Sequence, residues 1–477
     1  MASDAHASVG VVSCRDGVCP GYTLLSVSRT TYLIDKEGRV LHTWASRREV
    51  FVAYLLPSGN LLRDGSDLEL APQFAAGGAS GYLEEVTWHN ELVWSWSALP
   101  RFASLSHHDV APLPNGNVLV LVWERKNKEQ ALAAGRHPEL LPDGEVWDNC
   151  VVELRPDPAS GRACEVHRWS QWDHLVQDFD PSKANYVEDV AAHPTKFDLN
   201  YAPPGGKAAC RSGGLQPDEH PSGLTVFNKA PGKTGERDWL HANSVDWTLG
   251  PDGLGYVLLS YNVPSEVVVV RWPTADEAAG AAGAAGAAES GILFRFGNPL
   301  VARMGDRHAR QLFCQHSAKW VHGMHGAAGR SLRFILFNNG CAPQRMWSTA
   351  DEFVLELADG AVEHVWSFGP PVDHLGSFYA HHSSGVRRCP DGSNTLITLG
   401  PQGVVFEVTS DGEEVWRFVN PVEQRKKRAP AVVCQGAQRG AGNFGLFFAE
   451  RYPPDHCAQL RDLAPGPRVE DFVPHWA

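Results

Sequence analysis

The sequence predicts an all-β protein, a six-bladed β-propeller with short helical insertions. Two kinds of segment alternate along the chain: short segments that end on an aromatic residue, and glycine-rich turns. They recur at intervals of roughly 45–80 residues, which is typical of small sheets repeated around an axis. The aromatic-ended segments are Gly38–Trp44, Glu91–Trp96, Glu165–Trp169, Gly291–Phe296, Gly360–Trp366 and Asp411–Trp416.

Glycine-rich turns mark the places where the predicted strands reverse. The chain contains 46 glycines and 33 prolines, which is typical of many short strands joined by tight turns. Alternation of apolar and polar residues between positions 20 and 100 adds the signal of β-hairpins. The turn segments are Leu56–Leu62, Leu113–Leu121, Gly250–Leu259, Gly329–Leu336 and Cys389–Leu399.

We expect one propeller domain, because no change in composition separates the repeats. The ring is expected to close by pairing residues 20–35 with residues 431–450, which would leave no sheet edge open. The expected parts are an N-terminal extension (1–20), the propeller (21–461) with insertions near 125–142, 175–200, 210–236 and 274–290, and a C-terminal tail (462–477).

The insertions differ in composition. Residues 126–141 have the pattern of a helix, and residues 175–199 are expected to be helical in part. Residues 210–236 are polar and rich in glycine and proline, so we expect a surface loop. The alanine–glycine run at 278–288 is expected to be a floppy excursion, because each glycine in a helix costs about 1 kcal/mol.

Composition narrows the class of protein. The chain has 477 residues and a formal net charge of −13, which argues against nucleic acid as a partner. No apolar run is long enough to span a membrane, and the N-terminus lacks a secretory pattern. The ten cysteines include no CxxC pair, so we expect neither zinc nor another cofactor. We expect a soluble protein, with the cytoplasm slightly favoured, and a homodimer stays open.

Histidines occupy equivalent places in successive repeats. His107 and His108 precede one glycine turn, and His241 and His316 each enter a predicted strand. His382 lies in a further cluster one repeat later. Loops that enter the first strand of a propeller blade lie near the central axis, so these imidazoles are expected to converge.

Convergent imidazoles suit two kinds of chemistry. Three histidines with an open position are a catalytic zinc or iron arrangement. Alternatively, a neutral imidazole attacks an electrophile while neighbouring donors hold the developing oxyanion charge. Each histidine alone is more often structural, since the chain contains 21 of them.

At these residues the chain resembles the bacterial aryl-sulfate sulfotransferases that use no nucleotide sulfate donor. The resemblance runs from Gly21 to about Pro454. Its motifs are HHDVAPLPNGNVLVLVWE (His107–Glu124), WDHLVQDFDPSKANY (Trp172–Tyr186), WLHANSVDW (Trp239–Trp247), FRFGNP (Phe294–Pro299), LFCQHSAKW (Leu312–Trp320), FNNG (Phe337–Gly340) and VWRFVNP (Val415–Pro421).

The resemblance implies a six-bladed propeller that moves a sulfuryl group from a phenolic sulfate ester to a phenolic acceptor. It implies a sulfohistidine intermediate and ping-pong kinetics, with no cofactor. It places the nucleophile at His316, sulfate-oxygen donors at His241 and Asn243, and an acid/base or further donor at His108, and these histidine roles are open to exchange. The remaining candidates for substrate binding are His107, Tyr261, His382 and Ser383.

The chain also departs from that pattern. The family carries a sulfate-binding arginine after its His-x-Asn pair, whereas the matching stretch here is Leu259–Asn262. Losing a bidentate anion clamp weakens stabilisation of the transition state, and Arg295 or Lys319 are the candidates to replace it. Two other readings therefore stay open: a non-catalytic binding propeller with a relic site, and a metal-dependent hydrolase or lyase.

Overall fold

In the computed structural model the chain folds as an all-β, propeller-like protein with few helices. No helix in the part of the chain that the structure describes is long and apolar enough to cross a membrane. The described residues are 8–66, 72–74, 76–98, 103–201, 229–230, 233–234, 237–274, 277, 291–322, 330–341, 345–425 and 430–472.

Strands dominate the described chain. In the first half they are β1 (Gly10–Cys14), β2 (Tyr22–Val27), β3 (Thr30–Ile34), β4 (Val40–Ala45), β5 (Ala53–Leu55), β6 (Leu61–Ser66), β7 (Gly81–Val86), β8 (Leu92–Ser97), β9 (Ser104–Pro112), β10 (Val118–Asn127), β11 (Glu145–Asp157), β12 (Arg162–Ser170), β13 (Leu175–Val176), β14 (Phe197–Asp198), β15 (Lys229–Ala230) and β16 (Lys233–Thr234). In the second half they are β17 (Ala242–Leu249), β18 (Gly255–Tyr261), β19 (Glu266–Trp272), β20 (Ile292–Phe296), β21 (His316–Trp320), β22 (Ser331–Asn338), β23 (Thr349–Glu356), β24 (Val362–Phe368), β25 (Gly385–Arg388), β26 (Asn394–Leu399), β27 (Val404–Thr409), β28 (Glu414–Val419), β29 (Val422–Glu423), β30 (Ala431–Val432) and β31 (Ala449–Tyr452).

Helices are short. The α-helix that the structure describes over its full length is α1 (Lys128–Ala133), where Asn127 and Gln130 form a reciprocal capping box. It lies in the first predicted insertion. The 3-10 helices are Pro72–Phe74, Pro138–Leu140, Gln171–His174, Val190–Ala192, Pro299–Ala302, Arg307–Ala309, Val372–Ser377, Ala458–Leu460 and Val469–Asp471.

The other insertions are less regular. Residues 175–199, expected to be helical in part, contain the short strands β13 and β14 and one 3-10 turn at Val190–Ala192, with no α-helix. The expected loop at 210–236 and the expected excursion at 278–288 lie almost entirely outside the described residues.

Four separate antiparallel sheets contain four or five strands each. Their strand orders are β31-β2-β3-β4, β17-β18-β19-β20, β21-β22-β23-β24 and β1-β28-β27-β26-β25. A larger sheet has the order β5-β6-β7-β8-β12-β11-β10-β9. Its two antiparallel halves meet through one parallel pair, Arg162 with Ser95. Strand pairing therefore gives a propeller-like arrangement, but it does not by itself separate six blades.

The two sequence signals map onto definite strands. Every aromatic-ended segment falls in the fourth strand of an antiparallel run: β4, β8, β12, β20, β24 or β28. Trp44 and Trp416 are fully buried there. The glycine turns follow the first strand of an antiparallel run. In two of them, Gly116 and Gly392 have φ of 83° and 73°, a left-handed conformation that glycine adopts without a steric penalty.

Both ends of the chain pair with distant strands. Near the C-terminus β31 pairs with β2, so that Ala449 lies opposite Leu25 and Tyr452 opposite Tyr22. Near the N-terminus β1 pairs with β28. The predicted pairing between residues 20–35 and residues 431–450 is thus realised at the end of the second range, by a strand that starts at Ala449. These pairings cover edges that would otherwise be open.

Candidate active site

A cavity of about 390 Å3 lies beside β9, β17 and β21, each of which is the first strand of an antiparallel run. The three predicted catalytic residues, His108, His241 and His316, form part of its wall. The other described lining residues are Ser26, Ser28, Glu49, Val50, Phe51, Gly77, Gly78, Asn262, Cys314, His381, His382, Ser383, Gly400, Pro401, Gln424, Asn443, Gly445, Leu446 and Phe447.

Bulges place the three histidines at this cavity. Strands β9, β17 and β21 each lose their regular pairing register beside the histidine they carry or follow. The backbone there is left-handed, with φ of 56° at His108, 53° at His241 and 57° at Ser317. Such conformations cost energy outside glycine and often occur at functional sites. The repeat of the same irregularity in three strands explains how distant residues meet.

His316 is held in one orientation by Asn339. The side-chain nitrogen of Asn339 donates to the carbonyls of Ala380 (2.6 Å) and Ser383 (3.1 Å). Its oxygen is therefore free to accept, and it lies 2.8 Å from Nδ1 of His316. Nδ1 must carry the hydrogen, so the lone pair of the neutral ring is on Nε2.

Burial keeps the His316 ring neutral. The side chain lies almost wholly inside the protein, and loss of hydration lowers its pKa to about 4. The hydrogen bond to Asn339 opposes this shift only in part. At neutral pH the ring thus has an unprotonated nitrogen, which is the form required of a nucleophile.

His241 is paired with a buried carboxylate. Its Nδ1 forms a short hydrogen bond with Oδ2 of Asp238, which is 2% exposed. The carboxylate accepts, so Nδ1 of His241 donates and Nε2 is the ring atom that remains to exchange a proton. The negative charge of Asp238 lies where it can balance a positive ring.

His108 packs edge-on against His241, with ring centroids 4.5 Å apart. Its Nδ1 lies 2.8 Å from Nδ1 of His107, so one of these two rings donates to the other. His107 stacks on Trp123 and does not reach the cavity wall. Burial lowers the pKa of both His107 and His108 well below the usual value. Gly78 contacts the His108 ring so closely that an added Cβ would lie 2.3 Å from it.

Two asparagines hold the backbone just before His316. Nδ2 of Asn243 donates to the carbonyl of Gln315 (2.7 Å), and Nδ2 of Asn262 donates to the carbonyl of Cys314 (2.8 Å). Asn262 also lines the cavity, whereas Asn243 is buried behind it. Asn243 thus supports the strand that carries His316.

The remaining predicted residues divide between wall and core. His382 and Ser383 line the cavity, and burial lowers the pKa of His382 to about 3. Tyr261 instead packs in a hydrophobic cluster, 5.3 Å from the ring of Phe197. Sequence reasoning did not single out Asp238, Asn339 or Asn262 as site residues, although Asn339 belongs to the FNNG motif and Asp238 stands three positions before His241.

Neither candidate for the missing arginine reaches this cavity. Arg295 forms a two-fold ion pair with Glu266. Lys319 donates to Asp109 (2.7 Å), Tyr54 (3.0 Å) and the carbonyl of Val245 (2.8 Å). Among the described lining residues the cavity has no lysine or arginine.

A second cavity, of about 570 Å3, lies farther along β9, β17 and β21. On β9 His108 lines the first cavity and Val110 the second, and on β21 His316 and Lys319 are divided in the same way. Beside the second cavity, ion pairs and hydrogen bonds join buried and half-buried side chains, which we call the inner polar network. Its members are Tyr54, Asp109, Ser317, Lys319, Arg387 and Glu450.

The geometry of the first cavity suits covalent transfer through an imidazole. It combines a neutral ring with a defined lone pair, a carboxylate-paired ring and a third imidazole beside it. Within the described ranges, no group of three or more His, Cys, Asp or Glu side chains is arranged to hold a metal ion.

Comparison with known proteins gives one family. The family described as Arylsulfotransferase (ASST) matches residues 93–432. No curated protein matches the chain. Similar solved structures include a protein of unknown function from Bacteroides caccae, with 10% identity and a TM-score of 0.40 over 84% of this chain and 94% of that chain. Another is a putative 6-phosphogluconolactonase from Bacteroides uniformis, with 9% identity and a TM-score of 0.34 over 91% and 99%.

Proposed function

The chain belongs to the arylsulfotransferase family, and on that premise we propose that it transfers a sulfuryl group from a phenolic sulfate ester to a phenolic acceptor without a nucleotide donor. The observation that carries the proposal is the fixed ring of His316, with its hydrogen on Nδ1 and its lone pair on Nε2. His108 and His241 line the same cavity.

In the first half-reaction, Nε2 of His316 attacks the sulfur of the donor. The N–S bond forms as the S–O bond to the phenol breaks, and the leaving phenolate takes a proton from a protonated His241. The sulfurylated ring carries positive charge, which the oxygen of Asn339 stabilises through the Nδ1 hydrogen. His241 is left neutral and Asp238 keeps its orientation.

In the second half-reaction the acceptor phenol attacks the same sulfur. Its oxygen forms the new S–O bond, its proton passes to His241, and the N–S bond breaks to restore His316. One residue thus serves as acid and then as base, which a histidine can do near neutral pH. We assign acid/base work to His241 because it has the carboxylate partner, and we assign His108 to hold sulfate oxygens.

A six-bladed propeller requires that the large eight-stranded sheet forms two blades. Its halves, β5–β8 and β9–β12, share one parallel residue pair, whereas strands within each half pair along their length. Counting the halves separately gives six four-stranded runs around the polar network. We therefore propose six blades.

The direct test uses 4-nitrophenyl sulfate. With a phenol present we expect release of nitrophenolate together with the sulfated phenol. Without an acceptor we expect mass spectrometry to find one added SO3 group on the peptide that contains His316. Release of inorganic sulfate alone, with no labelled histidine and no sulfated phenol, would overturn the proposal.

A second candidate is a non-catalytic propeller that binds a small molecule. The observation in its favour is that the described cavity wall has no lysine or arginine to hold a sulfate anion. No turnover with any donor, together with saturable binding of neutral phenols, would support it. Metal analysis separates the third reading, because a hydrolase or lyase of that type holds a stoichiometric metal ion.

A further inference from the structure

The cavity wall has one acidic residue among its described members, Glu49. Its backbone is fixed, because the amide of Ser66 donates to the carbonyl of Glu49 (2.8 Å) and the next amide, of Val50, donates to the carbonyl of Ser28 (2.7 Å). The carboxylate of Glu49 has no hydrogen bond or ion pair to any residue that the structure describes.

Nothing else of fixed charge lines the described wall. The histidines His108, His316, His381 and His382 all have lowered pKa values because of burial. A half-buried carboxylate at the wall of this cavity attracts a cation and repels an anion.

Aromatic surface lies within the same cavity. Phe51 follows Glu49 by two residues, and Phe447 lies 6.3 Å from the ring of His108 by centroid distance. A phenol ring placed against Phe447 is therefore near the histidines. A cavity of about 390 Å3 accommodates one aromatic ring with a short side chain.

We propose that Glu49 selects phenols that carry a cationic group, such as an ammonium on a short alkyl chain. The phenol oxygen lies at the histidines and the ammonium pairs with the Glu49 carboxylate. The proposal rests on the proposed sulfuryl transfer, and it names the acceptor class for that reaction. Because donor and acceptor rings occupy the same place in turn, it extends to the ring of the donor.

The test compares three phenols of similar size but different charge. With 4-nitrophenyl sulfate as donor, kcat/KM is measured for tyramine (cationic), 4-ethylphenol (neutral) and 3-(4-hydroxyphenyl)propanoate (anionic). We expect tyramine to exceed 4-ethylphenol by about tenfold and the propanoate to be the poorest. Glu49→Gln should bring the ratio of tyramine to 4-ethylphenol close to one. Glu91→Gln, a change at an exposed turn, should keep the wild-type ratio.

The outcomes separate this proposal from the one on which it rests. Equal rates for the three phenols, or a tyramine preference that survives Glu49→Gln, overturn the role of Glu49 and leave sulfuryl transfer intact. If no phenol is sulfated, sulfuryl transfer fails, and calorimetric binding of the same phenols decides about Glu49. Tighter binding of tyramine that is lost in Glu49→Gln then supports the site, and charge-independent or absent binding removes it.

Discussion

The two cavities share the same strands but use charge in opposite ways. At the second cavity, Lys319 forms an ion pair with Asp109 and Arg387 forms one with Glu450, and these pairs join β21 to β9 and β25 to β31. In the first, the described wall has no lysine or arginine, and burial holds the pKa values of His108, His316, His381 and His382 low.

This difference indicates that the inner polar network contributes to stability, whereas the histidines of the first cavity serve the reaction. Charges in the inner polar network find partners on other first strands, so they tie these strands together. His241 and His316 each form a hydrogen bond through Nδ1, which leaves Nε2 for a substrate. Changes in the first cavity should therefore affect turnover, and changes in the network should affect stability.

The largest effect is expected from His316→Ala. It removes the proposed nucleophile, so transfer from 4-nitrophenyl sulfate should fall by at least about 10^3-fold. The oxygen of Asn339 loses its partner, which should lower stability by about 1–3 kcal/mol without preventing folding. The exposed His308→Ala serves as the matched control and should behave as the wild type. Undiminished transfer in His316→Ala would end the covalent scheme.

Lys319→Met tests the stabilising role of the inner polar network. The change leaves the carboxylate of Asp109 buried without its cation, which should lower the free energy of unfolding by about 3–5 kcal/mol. Adding Asp109→Asn should recover part of the loss. Lys183→Met removes an exposed ion pair with Asp180 and should cost less than about 1 kcal/mol. Urea unfolding measures all three, and equal costs for Lys319→Met and Lys183→Met would refute the structural role.

Sequence patterns were sufficient to predict an all-β, propeller-like fold and to place three histidines at equivalent points of the repeats. The aromatic-ended segments located the fourth strands, and the repeat spacing placed His108, His241 and His316 at equivalent points. Their convergence follows from the repeat itself. The large sheet that joins β8 to β12 was not predictable, because a single residue pair has no sequence signal.

Side-chain direction was harder to predict than position. Tyr261 and Asn262 are neighbours, yet the tyrosine enters the core and the asparagine reaches the cavity. Neighbouring residues of a strand point to opposite sides, so an error of one position in the prediction moves a side chain from the cavity wall to the core. His107 and His108 differ in the same way. The sequence did not identify Asn339 because its hydrogen-bond partner, His316, is 23 residues away along the chain.

Asn339→Ala should have the next largest effect. Without the oxygen of Asn339, the His316 ring can rotate or move its hydrogen to Nε2, which should lower kcat by about 10²-fold with a smaller change in KM. Asn339→Asp keeps an acceptor for Nδ1 and should retain more activity than Asn339→Ala. Activity of Asn339→Ala equal to that of the wild type would show that ring orientation does not limit transfer.

The smallest effect concerns the pH dependence of stability. The pKa of His316 is about 4 in the folded chain and about 6.5 when unfolded. Between these values the unfolded chain binds more protons, so stability falls as pH is lowered from 6.5 to 4, by at most about 1.4 kcal/mol per pH unit for one histidine.

His316→Gln should therefore flatten this slope in urea unfolding measured across that range. His364 gives the matched contrast, because its hydrogen bond to Asp351 raises its pKa. Its stabilisation is present below pH 6.5 and is lost as pH rises through the raised pKa. His364→Gln should thus leave the slope between pH 4 and 6.5 unchanged and make stability rise more steeply with pH above 6.5. An unchanged slope between pH 4 and 6.5 in His316→Gln would mean that the cavity does not keep His316 neutral.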